Sequence, residues 1–163
     1  MKELHIIGRA EKVDLPVLSV KKVPAKIDTG ADASSIWASK VTKNGSKLSV
    51  VFFGPESQYY DGKSHTFSSD EYIVTRVSSS FGHRELRYKV NLKIRVKRRL
   101  INGSFTLSDR STKLYPILLG RSILRGKFLV DVAKGSPLLA EEKARKIRLK
   151  EEIANINDIE EDL

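Results

Sequence analysis

The sequence predicts an all-β fold with one short internal helix and a C-terminal helix, and three observations support this prediction. Apolar residues from Leu86 to Val96 alternate strictly with polar ones, which is the pattern of a half-buried strand because successive side chains point to opposite faces. Residues 115–119 form a near-continuous apolar run, as expected of a buried strand. Beyond residue 135, the pairs Glu141–Arg145 and Glu142–Lys146 have the i,i+4 spacing of a helix.

The N-terminal half divides into short strands. Residues 15–20 and 23–27 are predicted strands, joined by a turn at two lysines. Residues 33–40 fit either a short helix or a strand. Residues 48–53 form a strand ended by a Gly-Pro pair, and the polar residues 54–70 are expected to form a loop or an irregular hairpin.

The residues after the alternating strand 86–96 are predicted to form a partner strand, a short helix and a last strand. Residues 100–107 are predicted to be its partner, with Asn102-Gly103 either a bulge in that partner or itself a hairpin turn. A short helix is expected at 121–125, with Gly126 placed to end it. Residues 128–130 are the last predicted core strand.

The composition changes at the C-terminal end. Residues 136–163 hold 5 basic and 8 acidic side chains, so of the 30 basic and 20 acidic residues in the chain, 25 and 12 lie in residues 1–135. The apolar positions of the tail follow a drifting helical stripe, and its acidic end, 157–163, is expected to be frayed. The sequence therefore predicts a folded domain at 1–135 and a charged C-terminal helix or tail at 136–163.

The strongly basic domain favours anionic partners, namely nucleic acid, anionic lipid or an acidic protein segment. Part of the charge forms a stripe on the outward face of the alternating strand, which is either a solvated sheet face or a ligand surface: Arg87, Lys89, Lys93, Arg95 and Lys97. The chain has no cysteine, no apolar run of membrane-spanning length and no long apolar stretch near its N-terminus. We therefore expect no membrane partner and a cytoplasmic location.

Two segments carry the candidate chemistry. An apolar-biased strand leads into Asp28-Thr29-Gly30-Ala31-Asp32, and a later apolar strand ends in Gly120-Arg121. Two carboxylates held close together share a proton, so the ionised one can draw a proton from water while the protonated one hydrogen-bonds a scissile carbonyl. Gly30 permits a turn in which its amide approaches Asp28. The alternative for Asp28 alone is an ordinary Asx-turn.

These segments resemble the catalytic loop and closing strand of the retropepsins, the single-domain aspartic proteases. The chain has one such aspartate, so the resemblance implies a homodimer in which two Asp28 carboxylates activate a water. It also implies a retropepsin-like (acid protease) closed β-barrel over residues 1–135. The resemblance also implies that Thr29 contacts the partner's loop and that Ala31 shapes the Asp28 loop. It further implies that the strand ending at Gly120 passes close behind this loop. Finally, it implies that Asp32 and Arg121 form a bidentate ion pair that stabilises the site.

Retropepsins also cover their substrate with a glycine-containing hairpin ahead of the closing strand. Residues 77–83 lie at the matching distance, and the candidate flap and substrate-binding residues are Ser79, Ser80, Gly82 and His83. An ordinary polar turn is the alternative for this segment.

The resemblance narrows to one bacterial and archaeal group that carries the inherited label "ATP-dependent zinc protease". Three segments carry it: Asp-Thr-Gly-Ala, then Ser-Phe-Gly-His-Arg-Glu-Leu-Arg-Tyr, and then Leu-Leu-Gly-Arg-Ser-Ile-Leu-Arg-Gly-Lys-Phe-Leu-Val-Asp, within residues 14–133. Members are linked with ATP-grasp ligases that add glutamates to a ribosomal protein tail, which implies an acidic, glutamate-rich protein or peptide substrate. Low-salt attraction to the basic stripe fits such a substrate.

The zinc and ATP of that label find no support in the residues. The histidines, His5, His65 and His83, form no His-Glu-Xaa-Xaa-His element, and the chain contains no phosphate-binding loop motif. We therefore predict neither a metal nor a cofactor.

The leading hypothesis is an aspartic-type endopeptidase, a hydrolase that acts as a homodimer. Two alternatives on the same scaffold are a basic nucleic-acid- or ribosome-binding module, with a steep salt dependence of affinity, and a non-catalytic dimerisation domain.

Overall fold

The structure is a computed structural model, and it describes residues 3–78 and 82–161. In chain order its elements are β1 (His5–Ile7), β2 (Ala10–Leu15), a 3₁₀ turn (Pro16–Leu18), β3 (Val20–Ile27), β4 (Ser34–Asn44), β5 (Lys47–Phe52), β6 (Ser64–Phe67), β7 (Tyr72–Ser78), β8 (Arg84–Val96), β9 (Arg99–Ser108), β10 (Ile117–Leu119), α1 (Arg121–Leu124), β11 (Phe128–Val130) and α2 (Leu139–Glu161).

Six of the described strands close into a β-barrel. Their order is β10-β3-β2-β8-β9-β4, and β4 pairs with β10 to complete the ring. Inside it lie side chains with no measurable exposure, among them Val13, Ile36, Ile94 and Phe105. The predicted all-β barrel with a short internal helix and a C-terminal helix is therefore confirmed.

Strand β8 shows why the alternating pattern was informative. Its apolar residues from Val90 to Val96 are buried, whereas Lys93 and Arg95 between them are exposed. The pattern extends too far at its end, because Lys97 lies in the hairpin turn with φ of 56°. There its ammonium is 3.4 Å from a carboxylate oxygen of the buried Glu11.

Two predictions near the N-terminus are wrong, namely a continuous strand over 15–20 and a turn at the two lysines, whereas the strand predicted at 23–27 lies within β3. Residues 16–18 form a 3₁₀ turn, since Pro16 fixes φ and has no amide hydrogen for a sheet ladder. The two lysines lie inside β3, and no turn forms there. Lys22 has φ of 54°, and its amide donates to the Asp14 carboxylate at 2.9 Å.

Register decides the two remaining ambiguities. Residues 34–44 form a strand, β4, that pairs with β5, β9 and β10. Asn102-Gly103 is neither a bulge nor a turn, because it pairs without interruption with Lys93 and Leu92. Residues 54–70, expected to form a loop or an irregular hairpin, contain strand β6, which pairs antiparallel with β5 and completes a hairpin.

The last elements lie outside the barrel wall. Helix α1 forms as predicted, with Gly126 at φ of 70° following it. Strand β11 pairs with β1 in a separate two-stranded parallel sheet. Helix α2 continues to Glu161 instead of fraying at 157. Among the described residues, no helix combines the length and apolarity that crossing a membrane requires.

Candidate active site

Asp28 lies immediately after β3, at the point where the chain leaves the barrel. Its amide donates to the Leu119 carbonyl of β10 at 2.9 Å, which fixes the start of the loop. Its carboxylate Oδ1 accepts hydrogen bonds from the amides of Gly30, at 3.0 Å, and Ala31, at 3.2 Å. Oδ2 has no hydrogen-bond partner within the described residues. One carboxylate oxygen is thus held by the loop and the other is available.

Space beside the Asp28 carboxylate favours glycine at position 30. A Cβ at this position would lie 3.3 Å from Asp28 Oδ1, closer than most side-chain contacts allow. The predicted contact between the Gly30 amide and the Asp28 carboxylate is therefore present. Glycine suits this position because a side chain would crowd the carboxylate oxygen.

Gly120 packs directly behind this loop. A Cβ there would lie 2.5 Å from the Ala33 carbonyl oxygen and 2.8 Å from that of Ala31. The Gly120 amide donates to the Oγ of Ser34, which is fully buried, at 2.9 Å. The next amide, that of Arg121, donates to the Ala31 carbonyl at 2.8 Å. The two predicted segments therefore meet as one unit.

The Arg121 side chain braces the loop differently from the implied bidentate pair. Its Nη1 donates to the Thr29 carbonyl at 3.2 Å, whereas Nη2 lies 3.8 Å from Oδ1 of the exposed Asp32. The structure thus replaces a two-bond fork with one hydrogen bond to the backbone and a long charge contact. Thr29 is exposed, and its hydroxyl has no partner in the part of the chain that is described.

The remaining predicted residues lie elsewhere. Ser79 and Ser80 are outside the described residues. Gly82 is exposed with φ of 78°, His83 is also exposed, and β7 and β8 pair up to Ser78 and Arg84. Of the other histidines, His65 packs edge-on against Phe52. No group of three potential metal ligands occurs within residues 3–78 and 82–161.

The basic stripe of β8 extends towards the loop before β10. Lys93 and Arg95 of the stripe are exposed. Burial and the nearby charge of Arg87, another member of the stripe, lower the pKa of Arg110 in that loop.

A second cationic region includes Lys26, two residues before Asp28, and no local sequence pattern predicted it. A cleft between α2, the loop before β10 and the edge of β2 and β3 is lined by one carboxylate, that of Glu142, and by six cations: Arg9, Lys26, Arg110, Lys113, Arg145 and Lys146. We call it the α2 cleft.

Glu142 connects α2 to the barrel at the floor of this cleft. Arg9 donates to both of its carboxylate oxygens, at 2.9 and 2.8 Å, and the Tyr115 hydroxyl donates to Oε1 at 2.6 Å. These hydrogen bonds lower the pKa of Glu142 from 4.5 to about 2, against the opposing effect of burial. The Leu138 amide donates to the Tyr115 hydroxyl, which continues the network into α2.

An apolar surface adjoins the Asp28 loop on its other side. The β1–β11 sheet exposes Leu4, Ile6 and Leu129, with Val132 following it. A shallow depression there is lined by Thr29 of the loop together with Leu129 and other residues of α1 and β11. Contiguous exposed apolar surface of this kind is typical of an interaction site.

Comparison with known proteins matches a family model and a solved structure. The family model described as "Retropepsin-like aspartic endopeptidase RimB" matches residues 6–136, ending before α2. A solved structure from Legionella pneumophila, the protein Lpg0085 of unknown function (DUF785), is 26% identical with a TM-score of 0.64, and the match covers 82% of this chain and 97% of that one.

Curated relatives carry a different name, "Probable alpha-L-glutamate ligase". The protein of Parasynechococcus marenigrum is 27% identical over 136 residues, and that of Shewanella pealeana is 28% identical over 137 residues. Each match covers 77% of this chain and 28% of the relative. This chain therefore spans little more than a quarter of the length of these relatives.

Proposed function

Because this chain belongs to the RimB-like family of retropepsin-like aspartic endopeptidases, we propose that it hydrolyses peptide bonds as a homodimer, with one Asp28 from each copy. The observation that carries this proposal is the Asp28 loop. Its carboxylate is oriented by two backbone amides, and Gly120 packs against the back of the loop.

In the proposed reaction, two Asp28 carboxylates share one proton and hold a water between them. The ionised carboxylate takes a proton from the water, whose oxygen bonds to the scissile carbonyl carbon. The protonated carboxyl donates a hydrogen bond to the carbonyl oxygen and stabilises its developing negative charge. Collapse of the tetrahedral species breaks the C–N bond, and a carboxyl proton goes to the leaving amine.

The apolar surface of the β1–β11 sheet supports a dimer next to this loop. Burying Leu129 and its neighbours against a second copy would remove exposed apolar area from water. Thr29 lies in the same depression, so its free hydroxyl would face the partner's loop. The dimer thus proposed would form beside Asp28, as the shared water requires.

The proposed substrate is a glutamate-rich protein tail. The relatives named as glutamate ligases contain a segment similar to this chain, and a peptidase related to such a segment would act on chains of the same chemistry. The excess of 25 basic over 12 acidic residues in 1–135 favours association with such a tail.

The test replaces Asp28 with asparagine and follows cleavage of an internally quenched, glutamate-rich peptide. Asp28→Asn should keep the fold and lower the cleavage rate by about 1,000-fold, since it removes the group that takes the proton. Asp61→Asn, in an exposed turn, is the matched control and should cleave at the wild-type rate. Cleavage by Asp28→Asn at full rate would show that another group is the catalyst.

Sedimentation of the active protein tests the dimer separately. We expect a monomer–dimer equilibrium in which cleavage per chain rises with protein concentration. Constant activity per chain from a protein that sediments only as a monomer would contradict the two-aspartate reaction.

A further inference from the structure

We propose that the α2 cleft is a binding site for an acidic peptide segment and that it seats the acidic residues flanking the scissile bond. The placement beside a scissile bond rests on the proposed peptidase function, whereas the binding of an acidic segment does not. Part of the site comes from residues 6–136, which the family model matches, and part comes from α2, which begins after that range.

The charge of the cleft is unbalanced. One of its six cations, Arg9, is paired with Glu142, the one carboxylate among its lining residues. The other five form no salt bridge among the described residues, although the charge of Lys146 acts on the same Glu142 carboxylate. Concave surfaces lined by one sign of charge concentrate oppositely charged ligands. A bound anion would therefore complete this site.

Arg110 is the cleft cation with the clearest unmet need for a carboxylate partner. It is half-buried, its Nε donates to the Tyr115 carbonyl at 2.9 Å, and its terminal guanidinium nitrogens have no partner within the described residues. Burial and the nearby charge of Arg87 lower its pKa. A partly desolvated guanidinium next to another cation is stabilised by a bidentate carboxylate.

The cleft already shows which anion fits it. Glu142 places a glutamate carboxylate between the fork of Arg9 and the Tyr115 hydroxyl. Tyr115, the single aromatic residue in the lining described, is buried and has its hydroxyl engaged on both sides. Proteins that bind single-stranded nucleic acid commonly stack its bases on exposed aromatic side chains, and this lining offers none, so an acidic peptide is favoured.

The position of the cleft suits a residue close to the cleaved bond. Lys26 is two residues before Asp28, which is roughly 7 Å along the strand. The Arg9 carbonyl accepts the amide of Ile27, so the Arg9 end of the cleft lies at the same level. An extended peptide advances about 3.5 Å per residue. Acidic side chains in the cleft would thus lie within a few residues of the scissile bond.

The experiment measures fluorescence anisotropy of a labelled octaglutamate peptide with Asp28→Asn protein, so that no cleavage interferes. The cleft variant is Lys113→Glu with Arg145→Glu, both exposed residues of the lining. The control is Lys93→Glu with Arg95→Glu, which makes the same change in net charge on the β8 stripe. Reversing two close charges should weaken binding about tenfold in the cleft variant, against less than about twofold in the control.

A neutral pair, Lys113→Gln with Arg145→Gln, guards against misfolding of the reversed variant and should weaken binding about threefold. An octamer of uridylate is the second ligand. Equal losses in the cleft variant and the control would overturn the proposal, because general electrostatics would then explain the binding. Tighter binding of uridylate than of octaglutamate, or binding of neither, would also overturn it.

Cleavage assays separate this site from the proposed reaction. If octaglutamate binds in the cleft but wild-type protein cleaves no glutamate-rich peptide, the peptidase proposal fails and the site stands. If wild-type protein cleaves such peptides and the cleft variant binds and cleaves them unchanged, the site fails and the peptidase proposal stands.

Discussion

Replacing Glu142 with glutamine tests how firmly α2 is attached to the barrel. The substitution keeps the shape of the side chain and removes its charge. It breaks the paired hydrogen bonds from Arg9, at 2.9 and 2.8 Å, because the amide of glutamine offers one acceptor oxygen. The Tyr115 hydroxyl keeps one possible acceptor. The change therefore measures the contribution of the paired, charged hydrogen bonds between Arg9 and Glu142.

The pKa of Glu142 sets an upper limit on the loss. A fall from 4.5 to about 2 corresponds to at most about 3 kcal/mol of folding free energy. The Arg9 and Glu142 side chains are 40% and 22% exposed, so water screens their attraction. We therefore expect Glu142→Gln to lower the free energy of unfolding by about 1.5 kcal/mol near neutral pH.

The pH dependence has a defined sign. The folded state binds this proton more weakly than the unfolded state, so the stabilisation is complete above a pH of 4.5 and is lost as the pH falls through about 2. The difference in unfolding free energy between wild-type protein and Glu142→Gln should stay constant from neutral pH to about pH 5.5 and fall to less than half by about pH 3.

Urea unfolding at a series of pH values measures this difference directly. Glu141→Gln is the matched control, because it removes the same charge from the same helical turn without touching Arg9. A loss with Glu142→Gln no larger than with Glu141→Gln, or one that does not change down to about pH 3, would refute the argument.

Two further predictions concern the support behind the Asp28 loop. Gly120→Ala should destabilise the protein by about 3 kcal/mol, because its methyl group would meet the carbonyl oxygens of Ala33 and Ala31. A loss below about 1 kcal/mol in urea unfolding would show that the loop moves aside easily. Ser34→Ala should cost about 2 kcal/mol by leaving the buried Gly120 amide without an acceptor. The exposed Ser39→Ala serves as its control, with an expected change under about 0.5 kcal/mol, and equal losses in both would contradict the assigned hydrogen bond.

Local sequence was sufficient where one short segment carries the whole signal. Strand β8 was predictable from Val90 to Val96 because its side chains alternate there between the core and solvent, whereas Leu86, expected on the buried face, is exposed. Helix α1 was predictable because Gly126 follows it with the positive φ that glycine adopts easily. The Asp28 loop was predictable because its contacts from Gly30 and Ala31 come from the next three residues.

Local sequence failed where a longer-range constraint overrode it. Asn102-Gly103 has the composition of a turn, yet it lies inside β9, where Gly103 leaves room for Ile123 and Phe105. The apolar residues 15–20 suggested a strand, but Pro16 cannot donate to a ladder.

By itself, the sequence determined the strand-rich architecture, the charge of the domain and the identity of the aspartate loop, because periodicity and turn chemistry are properties of neighbouring residues. Only the tertiary structure decided that Ser34 supports Gly120, 86 positions later, and that Arg9 holds Glu142 across 133 positions. Such pairs depend on which strands close the barrel and where α2 docks. A free-energy minimum over the whole chain selects that arrangement, and no local pattern records it.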